Sequence, residues 1–383
     1  MKDATARTTL GAVPRVDAGE RYFSEQAPRV AALCHKMAER FARGGRLLAF
    51  GTTAADRSDA AHVAVEFVHP VIVGKRALPA VALSPAHAAL FALPDDVVMA
   101  FGTDATPIRA CGALTVGFGC CGAEWDFPAP SEDPFVAQEL TETLYHVMWE
   151  LVHVFFDHRG LLSGRAAGPK HDGGNASFLY PFLGEQETNL DAVLADVEAS
   201  VIAKGREAGE LRAATLAEGE PALRAAATAI RTRLDDGGAL LTLGNGGSAT
   251  DSMDAVADLL EAPFGWPARR GLDLAADASI LTAVANDIGP EAMFSRQVIA
   301  YGTGRDALLA FSTSGTSHSV IAALAEGRRR GLVTVAFVGY DGGAILGERL
   351  ADHVVVARSE HIPRIQEAHA SAWHVLRGLL EEG

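Results

Sequence analysis

The chain repeats itself in outline, and that repeat limits the fold more than any other feature. Ala42-Arg43-Gly44-Gly45-Arg46-Leu47-Leu48-Ala49-Phe50-Gly51 is echoed by Asp236-Gly237-Gly238-Ala239-Leu240-Leu241-Thr242-Leu243-Gly244. Ala113-Leu114-Thr115-Val116-Gly117-Phe118 is echoed by Leu332-Val333-Thr334-Val335-Ala336-Phe337. Each half alternates apolar, strand-like runs with amphipathic helical stretches, the pattern of a parallel sheet covered by helices on both faces. The expected architecture is therefore α/β, with two doubly wound parallel-sheet domains produced by an internal duplication. At 383 residues the chain is long enough for both. The first repeat is expected over residues 16–157 and the second over residues 187–383, with a linker rich in Gly, Pro and polar residues at 158–186. A helical stretch from about Thr188 to Arg206 opens the second repeat. The first has only Glu20 to Arg43 in that place, and the residues before Arg15 read as disordered.

A hydrophobic content of 49% is ample for buried cores. No apolar stretch reaches the length of a membrane span, and Met1 to Arg15 lacks an apolar signal core, so no membrane partner is expected. The net charge of −15 opposes nonspecific nucleic-acid binding. It does not oppose a phosphorylated ligand, because a local cup of N–H groups overrides the global sign. Cys34, Cys111, Cys120 and Cys121 show no metal-type spacing and read as reduced thiols of a cytoplasmic protein.

Two loops carry chemistry. Gly244-Asn245-Gly246-Gly247-Ser248 and Ser312-Thr313-Ser314-Gly315-Thr316-Ser317 each follow an apolar run and precede a helical stretch. Glycines let backbone wrap an anion closely, helix N-termini present N–H groups, and small hydroxyls add donors. Two such loops on neighbouring strands would make one phosphate cup. The first repeat has Gly51-Thr52-Thr53-Ala54-Ala55 and Phe101-Gly102-Thr103-Asp104-Ala105-Thr106 in their places, and the Asp104 carboxylate would repel phosphate. Its phosphate loops are read as degenerate.

These loops, with Asn286-Asp287-Ile288-Gly289, Asp341-Gly342-Gly343 and Arg364-Ile365-Gln366-Glu367-Ala368-His369 in the same order, resemble the sugar isomerase (SIS) domain, and most closely the bacterial phosphoheptose isomerases. The resemblance implies substrate contacts at Asn245, Ser248, Asp287, Ser312, Thr313, Ser314 and Ser317. It extends to the first repeat by its helices. His62 and Glu66 are four residues apart on one helical face. Gln138 and His146 are eight apart, about 80° round a helix. The family carries such a His-x-x-x-Glu and such a Gln–His pair. The resemblance thus implies a site for Zn²⁺ or another divalent metal at His62, Glu66, Gln138 and His146, with Glu66 and His146 as the proton-transfer groups. In the second repeat the corresponding residues are Asp254, Asp258, Gln366 and His374. Shortening Glu to Asp withdraws a base by about one methylene, so this second set is expected to be vestigial.

The activity implied by the resemblance is aldose–ketose isomerisation of sugar phosphates, sedoheptulose 7-phosphate first among them. The first repeat would supply metal, base and acid, and the second the phosphate cup. Family members assemble from several such domains, which implies a homodimer forming a four-domain pseudo-tetramer. A non-catalytic phosphosugar sensor or a protein-interaction module would keep the cup and have no need of His62, Glu66 or His146.

Overall fold

The computed structural model describes residues 10–71, 75–157, 162 and 189–382, so nearly all of the expected linker at 158–186 lies outside the described residues. The described residues form two compact units, 17–207 and 10–16 with 208–382. In chain order the first half holds α1 (Ala12–Ala42), β1 (Leu47–Gly51), α2 (Ala54–Val68), β2 (Ala80–Ala82), α3 (Pro85–Phe91), β3 (Val97–Phe101), α4 (Thr106–Arg109), β4 (Leu114–Phe118), β5 (Trp125–Phe127) and α5 (Pro134–Asp157). The second half holds α6 (Leu190–Asp235), β6 (Leu240–Leu243), α7 (Gly247–Leu260), β7 (Gly271–Asp273), α8 (Ala278–Asp287), α9 (Ser295–Tyr301), β8 (Ala307–Ser312), α10 (His318–Arg329), β9 (Val333–Gly339), α11 (Gly343–Gly347), β10 (His353–Ala357) and α12 (Ile362–Glu381).

Each unit is built on a five-stranded, all-parallel sheet, and the two share one strand order. The first runs β2-β1-β3-β4-β5 and the second β7-β6-β8-β9-β10. Even the register repeats: Leu47 faces Ala80 on one side and Val97 on the other, as Leu240 faces Gly271 and Ala307. The central strands are predominantly apolar, as strands buried on both faces are; every residue of β3 and of β8 is buried.

Polar straps recur at matching places. Asp96, just before β3, accepts from Arg46 N at 2.9 Å and from Leu93 N at 2.9 Å. Asp306, just before β8, accepts from Ala239 N at 2.8 Å and from Thr303 N at 2.8 Å. Thr115 Oγ1 accepts from Glu124 N at 2.8 Å, and Thr334 Oγ1 accepts from Asp352 N at 3.0 Å, in each case the residue before the edge strand. Buried backbone donors need partners, and the same side-chain type meets the need in both halves.

Two expectations about helices need correction. The first repeat does have a long leading helix: α1 covers 31 residues and starts at Ala12, ahead of Arg15. Ala12 is buried beside Leu223 and Ile230 in the core of the unit containing the second sheet. The helix near Thr188–Arg206 does not stop there but continues unbroken to Asp235, with Pro221 inside it.

Candidate active site

α2 packs against α5 in the first unit, and their facing sides carry a buried polar cluster. His62 and Glu66, one turn apart on α2, meet His146 of α5; the three are 1%, 2% and 0% exposed. His62 Nε2 lies 3.3 Å from His146 Nε2 and 3.9 Å from Glu66 Oε1. One ligand atom from each of the three falls within 4.8 Å of the others. Two nitrogens bound to one zinc ion at about 2.0–2.1 Å in a tetrahedral site stand about 3.3–3.4 Å apart. The imidazole pair therefore already has the spacing of one tetrahedral edge, and the carboxylate needs only a small approach to join it. Gln138 stands two turns before His146 on α5, half-buried.

Burial, and after it the neighbouring His146, hold the His62 pKa well below the ordinary imidazole value. The ring is therefore neutral at pH 7, the state a metal requires. On its other side, His62 Nδ1 lies 3.0 Å from the Tyr145 hydroxyl and 3.9 Å from Glu142 Oε1. The Tyr145 hydroxyl also lies 3.3 Å from Asp59 Oδ1. Sequence reasoning gives these residues no role. Asp59 is three residues before His62 and so on its face of α2, a weak signal, while nothing in the sequence singles out Tyr145.

The corresponding residues of the second unit are arranged differently. Asp258 Oδ2 accepts from the Trp373 indole N–H at 2.7 Å and lies 3.5 Å from His374 Nε2. Arg377 Nε donates to the Asp258 carbonyl oxygen at 3.2 Å. Asp254 is half-buried on α7, and Gln366 is buried on α12. An indole can donate but not accept, so Trp373 ties the carboxylate into the core packing.

The two phosphate-type loops of this unit leave the carboxyl ends of β6 and β8, which are adjacent, while β7 flanks β6 on its other side. The strand order thus reverses at β6, where open parallel sheets bind ligands. Ser312 ends β8, and Asn245, Ser248, Thr313, Ser314 and Ser317 lie on these two loops or at the helix starts they feed. A Cβ at Gly244 would fall 2.0 Å from the Ser248 carbonyl oxygen, so only glycine allows α7 to begin so abruptly. Gly315 has φ +62°, and a Cβ there would fall 2.4 Å from the Gly342 carbonyl oxygen, which brings the Asp341-Gly342-Gly343 turn against the second loop.

Polar contacts shape the rim. Asn245 Nδ2 donates to Ser319 Oγ at 3.1 Å, and Ser314 Oγ accepts from Thr316 N at 3.2 Å. Neither α7 nor α10 has a side-chain cap at its N-terminus; Gly246 and Ser317 occupy the cap positions. Asp287 ends α8, exposed, with its Oδ1 accepting from Asn286 Nδ2 at 2.7 Å. The first unit starts α2 in another way. Thr53 and Asp56 form a reciprocal capping box, Asp56 N donating to Thr53 Oγ1 at 3.0 Å and Thr53 N donating to Asp56 Oδ2 at 3.1 Å. The Asp56 carboxylate also crowds Gly102, where a Cβ would meet its Oδ1 at 2.9 Å. A carboxylate-bearing residue, Asp56, thus stands against Gly51 at the end of β1, where the second unit sets Ser248 against Gly244.

The SIS domain, as a family model, matches residues 205–339. The phosphoheptose isomerase of Pelodictyon phaeoclathratiforme is 43% identical over 161 residues, which cover 41% of this chain and 75% of that protein. The phosphoheptose isomerase of Burkholderia pseudomallei is 38% identical over 178 residues, 46% of this chain and 89% of that protein. The C-terminal domain of glucosamine-fructose-6-phosphate aminotransferase from Francisella tularensis shares the fold over 99% of this chain and 96% of its own, with a TM-score of 0.58 at 9% identity. With relatives this similar over most of their length, the chain belongs to the phosphoheptose isomerase family of SIS-domain proteins.

Proposed function

We propose that the protein is an aldose–ketose isomerase of sugar phosphates, converting sedoheptulose 7-phosphate to glycero-manno-heptose 7-phosphate. The observation that carries this reading is the convergence of His62, Glu66 and His146 in one buried cluster. A sensor or scaffold has no use for a desolvated carboxylate beside two imidazoles. In this reading Ser248, Ser312, Thr313, Ser314 and Ser317, with the N–H groups that open α7 and α10, hold the phosphate dianion. Asn245 and Asp287 contact the sugar.

His62, Glu66 and His146, with Gln138, are the residues that would hold a divalent metal, Zn²⁺ in the first instance. When bound, it supplies a Lewis acid for the sugar's carbonyl and hydroxyl oxygens. Glu66 takes the proton from the carbon that carries the hydroxyl and returns it to the adjacent carbon. His146 moves the proton between the two oxygens, so that the ketose and aldose differ only in where two hydrogens reside. The second set, Asp254, Asp258, Gln366 and His374, takes no part.

NMR of the purified protein with sedoheptulose 7-phosphate, with and without added Zn²⁺, tests this directly. Aldose signals that appear with metal and vanish with a chelator are expected. Binding of the sugar phosphate with no turnover in either condition would make the protein a sensor instead. Two copies are expected to associate, and light scattering that reports a monomer at micromolar concentration would remove the dimer from this proposal.

A further inference from the structure

The outer side of His62 is built for a task that the cluster itself does not need for packing. Neutral imidazole exists as two tautomers, and only a bare nitrogen can bind a metal or accept a proton. His62 turns Nε2 toward His146 and Glu66, and Nδ1 toward Tyr145 and Glu142. The Tyr145 hydroxyl, on a side chain 1% exposed, stands 3.0 Å from Nδ1 and 3.3 Å from Asp59 Oδ1. A carboxylate can only accept, so the hydroxyl donates to Asp59 and turns its lone pair toward Nδ1. A hydrogen bond to that lone pair requires the ring hydrogen on Nδ1. The Glu142 carboxylate on the same side favours the same choice.

We propose that Asp59 and Tyr145 are positioning residues that fix His62 as the Nδ1–H tautomer and so keep Nε2 bare toward Glu66 and His146. The inference rests on the reading of His62, Glu66 and His146 as a metal site. The second unit supports it by contrast: the residue before His374 is Trp373, which has no lone pair to offer and spends its N–H on Asp258. Where the relay is missing, so is the histidine it would orient, since Asp254 stands in the place of His62.

The tautomer is read on the metal-free protein by long-range ¹H–¹⁵N correlation of labelled histidines, with His62→Gln identifying the signals. Wild type should show a protonated Nδ1 and a bare Nε2. Tyr145→Phe should lose this preference and bind Zn²⁺ about 10–100-fold more weakly, the usual effect of removing an outer partner of a metal-binding histidine. Asp59→Asn gives the sharper outcome. Its amide can donate to the Tyr145 oxygen, reverse the relay and shift His62 toward the Nε2–H form, a change that a merely structural role would not produce. An Nε2–H ring in wild type overturns the proposal, as does a Tyr145→Phe protein that keeps both tautomer and Zn²⁺ affinity. Because the tautomer is measured without metal or sugar, a lack of isomerase activity would count against the proposed function and leave this result standing.

Discussion

The Trp373 indole donates its N–H to Asp258 Oδ2 at 2.7 Å, at the position of the second unit that corresponds to Glu66 of the first. The bond gives Asp258 a structural duty. Asp258→Asn keeps an oxygen acceptor for the indole, so it should cost about 1 kcal/mol of stability and leave turnover within a few-fold of wild type. A complete loss of activity in a coupled assay, in a variant whose circular dichroism is unchanged, would move the chemistry to the second unit.

Glu66→Gln should behave in the opposite way. The amide fills nearly the same volume but cannot take a proton from carbon, and general bases contribute about 10²–10⁴-fold. Turnover should fall by at least that much while calorimetry still detects sugar phosphate. In the proposed reaction His146 is both proton shuttle and metal ligand, so His146→Ala should also remove most of the activity.

The two serines of the second loop should separate by stability. Ser314 Oγ accepts from Thr316 N and from Thr316 Oγ1, whereas Ser317 sits at the N-cap of α10 with no side-chain cap bond. Ser317→Ala should weaken phosphosugar binding by about 1.5–3 kcal/mol, roughly 10- to 100-fold, with little change in melting temperature. Ser314→Ala should lower both affinity and melting temperature. Equal affinity of wild type and both variants in calorimetry would take the loop out of the site.

Asp96 makes a prediction about acid. Burial pushes its carboxyl up, but the Arg46 guanidinium at 2.8 Å and the N–H groups of Arg46 and Leu93 outweigh that and hold it below the ordinary range. A carboxyl lowered on folding stabilises the protein above its unfolded value and loses that contribution as pH falls through the folded one. Asp96→Ala should therefore destabilise at pH 7, by about 1–3 kcal/mol for each donor left stranded, and the deficit should shrink toward pH 3. Urea denaturation at the two pH values checks it; a deficit independent of pH would mean packing, not charge, is at work.

Both sheets and both phosphate-type loops are legible in the sequence, for definite reasons. Parallel strands buried on both faces leave apolar runs, and those runs recur in the same order in the two halves. The phosphate-type loops show because glycine is required at Gly244 and Gly315 by atoms closer than a Cβ permits. The convergence of His62 with His146 is accessible only through family resemblance, since no spacing links residues 84 apart on different helices. Tyr145 stays hidden for a related reason. It neighbours His146 in sequence, and only the packing of α2 on α5 turns both side chains to His62. The length of α6 is masked by Gly205, Gly209, Gly219 and Pro221, which look like breakers. Packing keeps the helix going through all four, against their local preference.

The uncapped starts of α7 and α10 carry a consequence for the protein without its ligand. A side-chain cap contributes about 1 kcal/mol to a helix, and α2 has one in both directions through Thr53 and Asp56. The second unit forgoes that gain twice at the same rim. An anion held at these helix starts would supply part of that missing stabilisation by mass action. Resistance to heat should rise with inorganic phosphate alone, before any sugar is recognised. If these loops hold phosphate as proposed, the stability of the unit will follow the concentration of its ligand.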